Sequence, residues 1–322
     1  MAYRGGIDLG GTKIQAAVVD DDGDVVGQAR HPTPTKGGPP DVADAIAAAM
    51  REAAEGADVE TSALTGIGVG SPGKIDNDAG TVTGAKNLPG WDGSFDLRAA
   101  LERACGAPVQ IGNDVDVATD AEFQLGAGRP YQSLLGVFWG TGVGGGIILD
   151  GKPWLGRGAA AEIGHVCVRI GGAPCPCGRE GCMEAYAGRY AMELRARREL
   201  DRGEKTVLFK IMEERGRTRL TSGVWARALD REDALAQRLM ERAVRALGAG
   251  VASVLNVLDV EAVIIGGGLG LRLGEPYVER IREAMMPHLF ASERPPAVAL
   301  AELGDLGGAI GASLLVRATA RA

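Results

Sequence analysis

The chain has 322 residues, room for about two domains of ordinary size. Its 45% hydrophobic and 24% charged residues describe a globular protein and exclude a disordered one. With 35 Lys and Arg against 42 Asp and Glu the net charge is -7, which disfavours nucleic acid and anionic membranes as partners. No apolar run reaches the roughly 18 residues of a membrane span. Met1 to Gly6 lacks the apolar core of a signal peptide, so a cytoplasmic protein is expected. Three of the five cysteines lie between 175 and 182, which in a reducing compartment reads as metal binding before disulfide. Fifty glycines, more than twice the usual share of about 7%, cluster after apolar runs, as backbone does where it approaches a ligand.

In chain order the pattern predicts a strand at 6–9, a turn at 10–13 and a second strand at 14–19, followed by a hairpin turn at Asp21 to Asp24 and a Pro- and Gly-rich loop from His31 to Pro40. A helix is expected over 41–54 with Asp41 as its cap, then strands at 64–70 and 109–112 and a helix from Asp114 to about Leu125. Leu134 to Trp139 reads as a strand entering a glycine cluster, and 146–149 as the strand that leaves it. Apolar residues at 235, 239, 243, 247, 251 and 254 mark one face of a helix over 234–255. A buried strand at 262–265 ends on Gly266-Gly267-Gly268, and a small-residue helix covers 306–316. Strands alternating with helices predict an α/β fold in two lobes with a cleft between them. No repeat of 20 to 50 residues is visible, although a strand meets a glycine turn in each half.

Asp8-Leu9-Gly10-Gly11-Thr12-Lys13 is either an ordinary hairpin or a nest of main-chain N–H groups for phosphate, with the Thr12 hydroxyl alongside and Asp8 positioned to hold magnesium through water. Gly140-Thr141-Gly142-Val143-Gly144-Gly145-Gly146 matches G-x-G-x-x-G in form, but a hairpin follows where a dinucleotide site needs a helix. No P-loop motif occurs. A nucleoside triphosphate explains the two Gly-Thr turns together with the cluster at 266–268. His165, Cys175, Cys177 and Cys182 have the donor set of a structural zinc site; a disulfide or unpaired thiols are the alternatives. Asn113-Asp114 at a strand end reads equally as a helix cap or as a base for a substrate hydroxyl. Glu162 and Glu184 flank the cysteines, either as substrate ligands or as surface acids, and the turn Asn87 to Trp91 either lines a sugar or anchors the core.

Taken together these motifs resemble the ROK family of sugar kinases, most closely its bacterial ATP-dependent glucokinases. The carrying residues are Asp8 to Lys13, Asn113-Asp114, Gly140 to Gly146, Glu162-Ile163-Gly164-His165 and Cys175-x-Cys177-Gly178-x-x-Gly181-Cys182-x-Glu184, which span nearly the whole chain in order. The resemblance implies an actin-like ATPase (ribonuclease-H-like) fold. The lobes expected are a small one of residues 1–113 with 306–322 and a large one of 114–305 that carries zinc. It implies that Asp114 is the base for the sugar 6-hydroxyl and that Asn87, Asn113, Glu162, His165 and Glu184 bind the sugar, His165 also ligating zinc with Cys175, Cys177 and Cys182. Asp8, Gly10, Gly11, Thr12, Lys13, Gly140, Thr141 and Gly142 would hold ATP and Mg²⁺, with Gly267 and Gly268 near the adenosine. Val115-Asp116 departs from the small residues that follow the base in many relatives.

The expected reaction moves the γ-phosphoryl of ATP to glucose, the first step of glycolysis, in a homo-oligomer (dimer or tetramer). The rivals are a kinase for an N-acetylhexosamine, mannose or fructose, and a sugar-sensing regulator without catalysis. A winged-helix regulator is not expected with the phosphate turn beginning at residue 8. Polyphosphate as donor is disfavoured by the cluster at 266–268.

Overall fold

A computed structural model describes residues 2–319. The chain divides into two compact units, Met1–Arg129 with Glu302–Ala322, and Pro130–Ala301.

The first unit opens with three antiparallel strands, β1 (Arg4–Leu9), β2 (Lys13–Val19) and β3 (Val25–Pro32), then helix α1 (Pro39–Glu55). Strand β4 (Ile67–Ser71) pairs parallel with β1. A small antiparallel sheet of β5 (Lys74–Asp76), β6 (Thr81–Thr83) and β7 (Ser94–Asp96) leads to helix α2 (Leu97–Cys105). Strand β8 (Val109–Asn113) pairs parallel with β4 and runs straight into helix α3 (Asp114–Leu125). The main sheet therefore has the order β3-β2-β1-β4-β8. The polyproline start of α1 pre-sets its first turn. Asp41 stands inside that turn, where its Oδ2 accepts from the N–H of Gly38 at 2.8 Å, so the cap is Gly38 and not Asp41.

Alternate residues of β1 face opposite layers. Gly5 faces α1, with the Met50 sulfur close by, and Gly6 faces the C-terminal helix Gly307–Thr319. A Cβ on Gly6 would stand 1.9 Å from the carbonyl of Ala309, and one on Gly68 of β4 would stand 1.7 Å from that of Ala312. Glycine is required at both positions because the helix backbone lies directly on the sheet.

The second unit repeats the plan. Strands β9 (Leu134–Trp139), β10 (Val143–Leu149) and β11 (Lys152–Pro153) are antiparallel, and β12 (Ala262–Gly266) and β13 (Ala297–Leu300) add on in parallel, in the order β11-β10-β9-β12-β13. Helices α4 (Glu184–Ala187), α5 (Arg189–Asp201), α6 (Leu208–Glu214), α7 (Ser222–Asp230), α8 (Ala234–Leu258), α9 (Gly267–Leu273) and α10 (Glu275–Met285) complete it. Helix α8 begins where Asp233 accepts from the N–H of Ala236 at 2.8 Å and stops at Asp259, whose φ is +48°. Its apolar face, with Leu235, Leu239, Ala243, Leu247 and Val251 buried, is the core of the unit. Among the described residues no helix is long and apolar enough to cross a membrane.

The division falls after Arg129 and after Ala301, whereas the sequence reading placed it after residues 113 and 305. Helix α3 goes with the first unit because it packs on the C-terminal helix, where a Cβ on Gly311 would meet the carbonyl of Val117 at 2.4 Å. Buried Glu122 of α3 also accepts from the N–H groups of Ala127, Glu302 and Leu303 at 2.9–3.1 Å, clasping both chain segments that leave the unit. Residue 1 and residues 320–322 of the expected small lobe lie outside the described residues.

Overpacking a close helix–sheet contact costs typically about 1–3 kcal/mol. Gly68→Ala is expected at the top of that range or above, because the obstructing atom is backbone and cannot rotate away. Urea denaturation of the variant beside Gly93→Ala, whose Cβ would meet nothing within 4 Å and whose φ is not positive, checks this: comparable losses would mean that the contact does not set the cost.

Candidate active site

In the first unit, β1, β4 and β8 end in register, Asp8 opposite Gly70 and Gly70 opposite Gly112. The β1–β2 turn closes with the N–H of Gly10 donating to the carbonyl of Lys13 at 2.9 Å, leaving Gly11 and Thr12 at the tip. Thr33 steadies this turn from β3's far end, its hydroxyl donating to the Gly10 carbonyl at 2.6 Å. Lys13 pairs with Asp305 at 3.3 Å and also contacts Gln15. Asn87, exposed on the loop before β7, packs on Gly11, where a Cβ would lie 3.0–3.1 Å from Asn87 atoms. Trp91 of the same loop is 2% exposed, donates to the carbonyl of Val82 at 3.1 Å and meets Phe95 edge-on; it anchors the core and does not line a site.

Asn113 caps α3, its Oδ1 accepting from the N–H groups of Val115 and Asp116 at 3.0 and 3.2 Å. Val115-Asp116 thus leaves the helix start regular. Of the two adjacent residues Asn113 does the capping, while the Asp114 carboxylate accepts from the N–H of its neighbour Val115 at 3.0 Å. Burial pushes the Asp114 carboxyl up to about 7, with the nearby charge of Asp8 adding to it and the Val115 N–H opposing. Asp8 is itself pushed above the usual carboxylate range, again by burial first, with Lys13 opposing and Asp305 adding. It lies against the start of the C-terminal helix, where a Cβ on Gly308 would stand 2.8 Å from its Cγ.

In the second unit the β9–β10 turn is closed by the N–H of Gly140 donating to the carbonyl of Gly142 at 3.0 Å, with Thr141 at the tip. The end of β12 adjoins it: a Cβ on Gly140 would be 3.9 Å from the N of Gly268. Gly267 has φ +79° and a Cβ there would strike the backbone of Trp139 at 2.6 Å, so only glycine serves. Glu184, the first residue of α4, accepts from the N–H of Val143 at 2.9 Å through Oε2 and turns Oε1 toward the Cys175 sulfur, 4.0 Å away. Gly142 admits that carboxylate, since a Cβ would lie 2.3 Å from Oε2.

His165, Cys175, Cys177 and Cys182 converge, all four donor atoms lying within 4.8 Å of one another. The Cys175 sulfur is 3.8 Å from His165 Nδ1, and the Cys177 and Cys182 sulfurs are 3.7 Å apart. Those separations match the edges of a tetrahedron with Zn–S of about 2.3 Å and Zn–N of about 2.0–2.1 Å. Glu162 is exposed and its Oε2 is 3.9 Å from His165 Nε2. Gly164 holds this segment on β10, with a Cβ there only 2.1 Å from the carbonyl of Val143.

One residue escaped the sequence reading. Arg189 donates to the Thr141 hydroxyl at 2.7 Å and the Ser222 hydroxyl at 2.9 Å, and its own N–H donates to the Gly140 carbonyl. Burial works against its charged form, Arg219 adding to that and Glu193 opposing. A guanidinium beside a glycine turn, held by two neutral hydroxyls, is placed to meet an anion. In the sequence it is one arginine among several opening a helix, with nothing to single it out.

The ROK family model matches residues 4–319. A glucokinase from Halalkalibacterium halodurans is 33% identical over 320 residues, 97% of this chain and 94% of that protein. An N-acetylgalactosamine kinase from Shewanella sp. is 31% identical over 322 residues, 96% of this chain and 95% of that protein. Among solved structures, a ROK family glucokinase from Streptomyces griseus in complex with glucose and AMPPNP has a TM-score of 0.84 at 34% identity, covering 98% of this chain and 100% of that one.

The Asp114 carboxyl makes a test of burial that needs no substrate. Folded, it keeps its proton to about pH 7; unfolded, it loses it near 3.8. Between those values the folded state binds the extra proton, so this group's contribution to stability declines as pH rises from about 4 to about 7 and is level above. Asp114→Asn lacks that decline. Its melting temperature relative to the parent protein is expected to climb across the window and then plateau, as thermal denaturation from pH 4 to 9 at constant ionic strength would read. A pH-independent difference would remove burial as the cause of the shift.

Proposed function

The chain belongs to the ROK family and is a sugar kinase of the hexokinase type, and from that premise we propose that it is an ATP-dependent glucokinase. It transfers the γ-phosphoryl of ATP to the 6-hydroxyl of glucose. The observation that carries this reading is Asp114: a half-buried carboxyl at the ends of parallel strands, with a pKa of about 7 and no cation paired to it among the described residues. A base poised near the working pH is effective in taking a proton from a hydroxyl. Asp114 accepts the proton of the 6-hydroxyl as its oxygen attacks phosphorus, and the γ-phosphoryl leaves ADP for that oxygen.

Asn87, Asn113, Glu162, His165 and Glu184 bind the sugar in this reading. The glycine turns at 10–12 and 140–142 take the phosphates, with Lys13 beside the first turn and Arg189 beside the second, while Gly267 and Gly268 adjoin the adenosine. Asp8, half-buried and in no ion pair among the described residues, suits a site that gains a cation with the nucleotide; bound Mg²⁺ would neutralise phosphate charge. The family also supplies the rival reading, an N-acetylhexosamine kinase, since such a relative is 31% identical. Glucose is favoured because a metal held by His165 and the three cysteines would fix the imidazole and keep it from swinging aside for an acetamido group. In this reading the enzyme works in the cytoplasm, where ATP is supplied.

A coupled assay of ADP release is expected to give higher kcat/KM with glucose than with mannose or N-acetylglucosamine. For glucose, kcat/KM should fall tenfold per pH unit below about pH 7, because a protonated base cannot accept. Asp114→Asn should lower kcat by at least ~10²-fold while glucose still binds. Faster turnover of an N-acetylhexosamine would sink the glucose assignment and leave the kinase; an active Asn variant would sink the base.

His165, Cys175, Cys177 and Cys182 hold Zn²⁺ in this reading, a closed site that orders the loop and supplies no reacting group. Elemental analysis of protein purified without added metal is expected to find about one zinc per chain. Metal-free protein that keeps its melting temperature would defeat the claim.

A further inference from the structure

A cavity on the second unit is lined by none of the residues assigned above. Its volume is about 840 Å³, and it lies among α5, α8 and α10. Five arginines line it, Arg195, Arg238, Arg242, Arg245 and Arg280, against two carboxylates, Glu199 and Glu241. In a chain of net charge -7 such a local excess of positive charge has no counterpart in the overall composition. We propose that this cavity is a second anion site, for a small molecule that carries two or more phosphoryl charges.

Three observations support it. First, four of the arginines are held by carboxylates: Arg195 by Glu199, Arg238 by Glu204, and Arg245 and Arg280 by Glu241. Arg245 Nε and Arg280 Nη2 both donate to Glu241, at 2.8 and 2.7 Å, and the Arg280 guanidinium also stacks over Tyr277 at 4.7 Å. Each of these two contacts uses one of the five N–H donors of a guanidinium, which leaves the rest for a ligand. Second, Arg242 forms no ion pair among the described residues; its guanidinium lies over the ring of Tyr186 at 5.5 Å. Arg238, Arg242 and Arg245 follow one another at helical spacing along α8, so their side chains emerge on one face. Guanidinium forks fixed by packing suit phosphoryl oxygens, which they can engage bidentately. Third, a volume of this size falls within the range of small-molecule sites. A smaller cavity of about 350 Å³ continues it, sharing Arg195, Leu239 and Arg242, and is walled by Pro174, Pro176 and Tyr190. An organic body attached to the phosphates has room there.

The probe is inorganic tripolyphosphate, titrated calorimetrically into the full-length protein saturated with a non-hydrolysable ATP analogue. Binding near one to one is expected, weakening as salt is raised. Arg242→Ala and Arg245→Ala should each weaken it by about tenfold or more, with Arg242→Lys between, because lysine keeps the charge and loses the fork. Kinase kcat and KM without the anion should match the parent in all three variants, which also shows them folded. A hexose bisphosphate binding more tightly than tripolyphosphate, and losing that advantage in Tyr190→Ala, would further support an organic ligand reaching the smaller cavity. The proposal is overturned if tripolyphosphate fails to bind, if the nucleotide analogue abolishes binding, or if all three variants bind like the parent; alanine variants that change the oligomeric mass while tripolyphosphate does not bind would give the cavity to an acidic segment of a second copy.

Discussion

The direction of the first strand of each sheet governs the site. β1 pairs antiparallel with β2 and parallel with β4, so its C-terminal end, where the chain turns back, lies at the same sheet edge as the C-terminal ends of β4 and β8. A hairpin turn and a strand-to-helix junction are thereby forced together, and ligands of α/β sheets gather at such edges. Gly10 to Lys13 and Asp114 are about a hundred residues apart in the chain and share an edge because of strand direction alone. The second unit obeys the same constraint: β9 pairs antiparallel with β10 and parallel with β12, which brings the turn 140–142 beside Gly267-Gly268.

That edge is also where the first unit gives up stability. Asp8 and Asp114 are both half-buried carboxyls raised above their usual range, and neither forms an ion pair among the described residues. Desolvating two like charges is unfavourable, and the sheet tolerates it because the rest of the unit is tightly determined: β4 is buried along its whole length and the C-terminal helix rests on glycine. The cost has a chemical counterpart, since a carboxyl left without a cation is one whose proton affinity lies near neutrality.

Much of this architecture is legible in the sequence, for reasons that differ by element. Helix α8 is legible because five of its six periodic positions are buried, so the 3.6-residue period is undiluted. The glycine turns are legible because glycine stands where a Cβ would strike a neighbour, as at Gly11, Gly142 and Gly267, and the cysteine cluster because three thiols and an imidazole so close in the chain form a metal-type donor set. What the sequence hides is the duplication. Sheet order and direction recur in the two units, yet the helices between β12 and its partner strands differ in number and length, so no repeat period survives. Unit boundaries are hidden for a related reason: α3 belongs to the first unit through a contact with a helix nearly two hundred residues later. Arg189 is invisible because its significance lies in having hydroxyls rather than carboxylates as partners, which no spacing encodes.

Glu184 joins the two halves of the second unit's chemistry. One oxygen receives the N–H of Val143 at the base of the glycine turn, and the other faces the sulfur of Cys175. Gly164 presses the segment of Glu162 and His165 onto the carbonyl of that same Val143. Turn, carboxylate and thiol cluster are therefore one mechanical piece, with Val143 at its centre. A metal that draws the four donors together fixes His165 directly, and through Cys175 and Glu184 it limits how far the 140–142 turn can shift. Residues read as sugar-binding and residues read as phosphate-binding share a support, so whatever holds the four donors together bears on both sets.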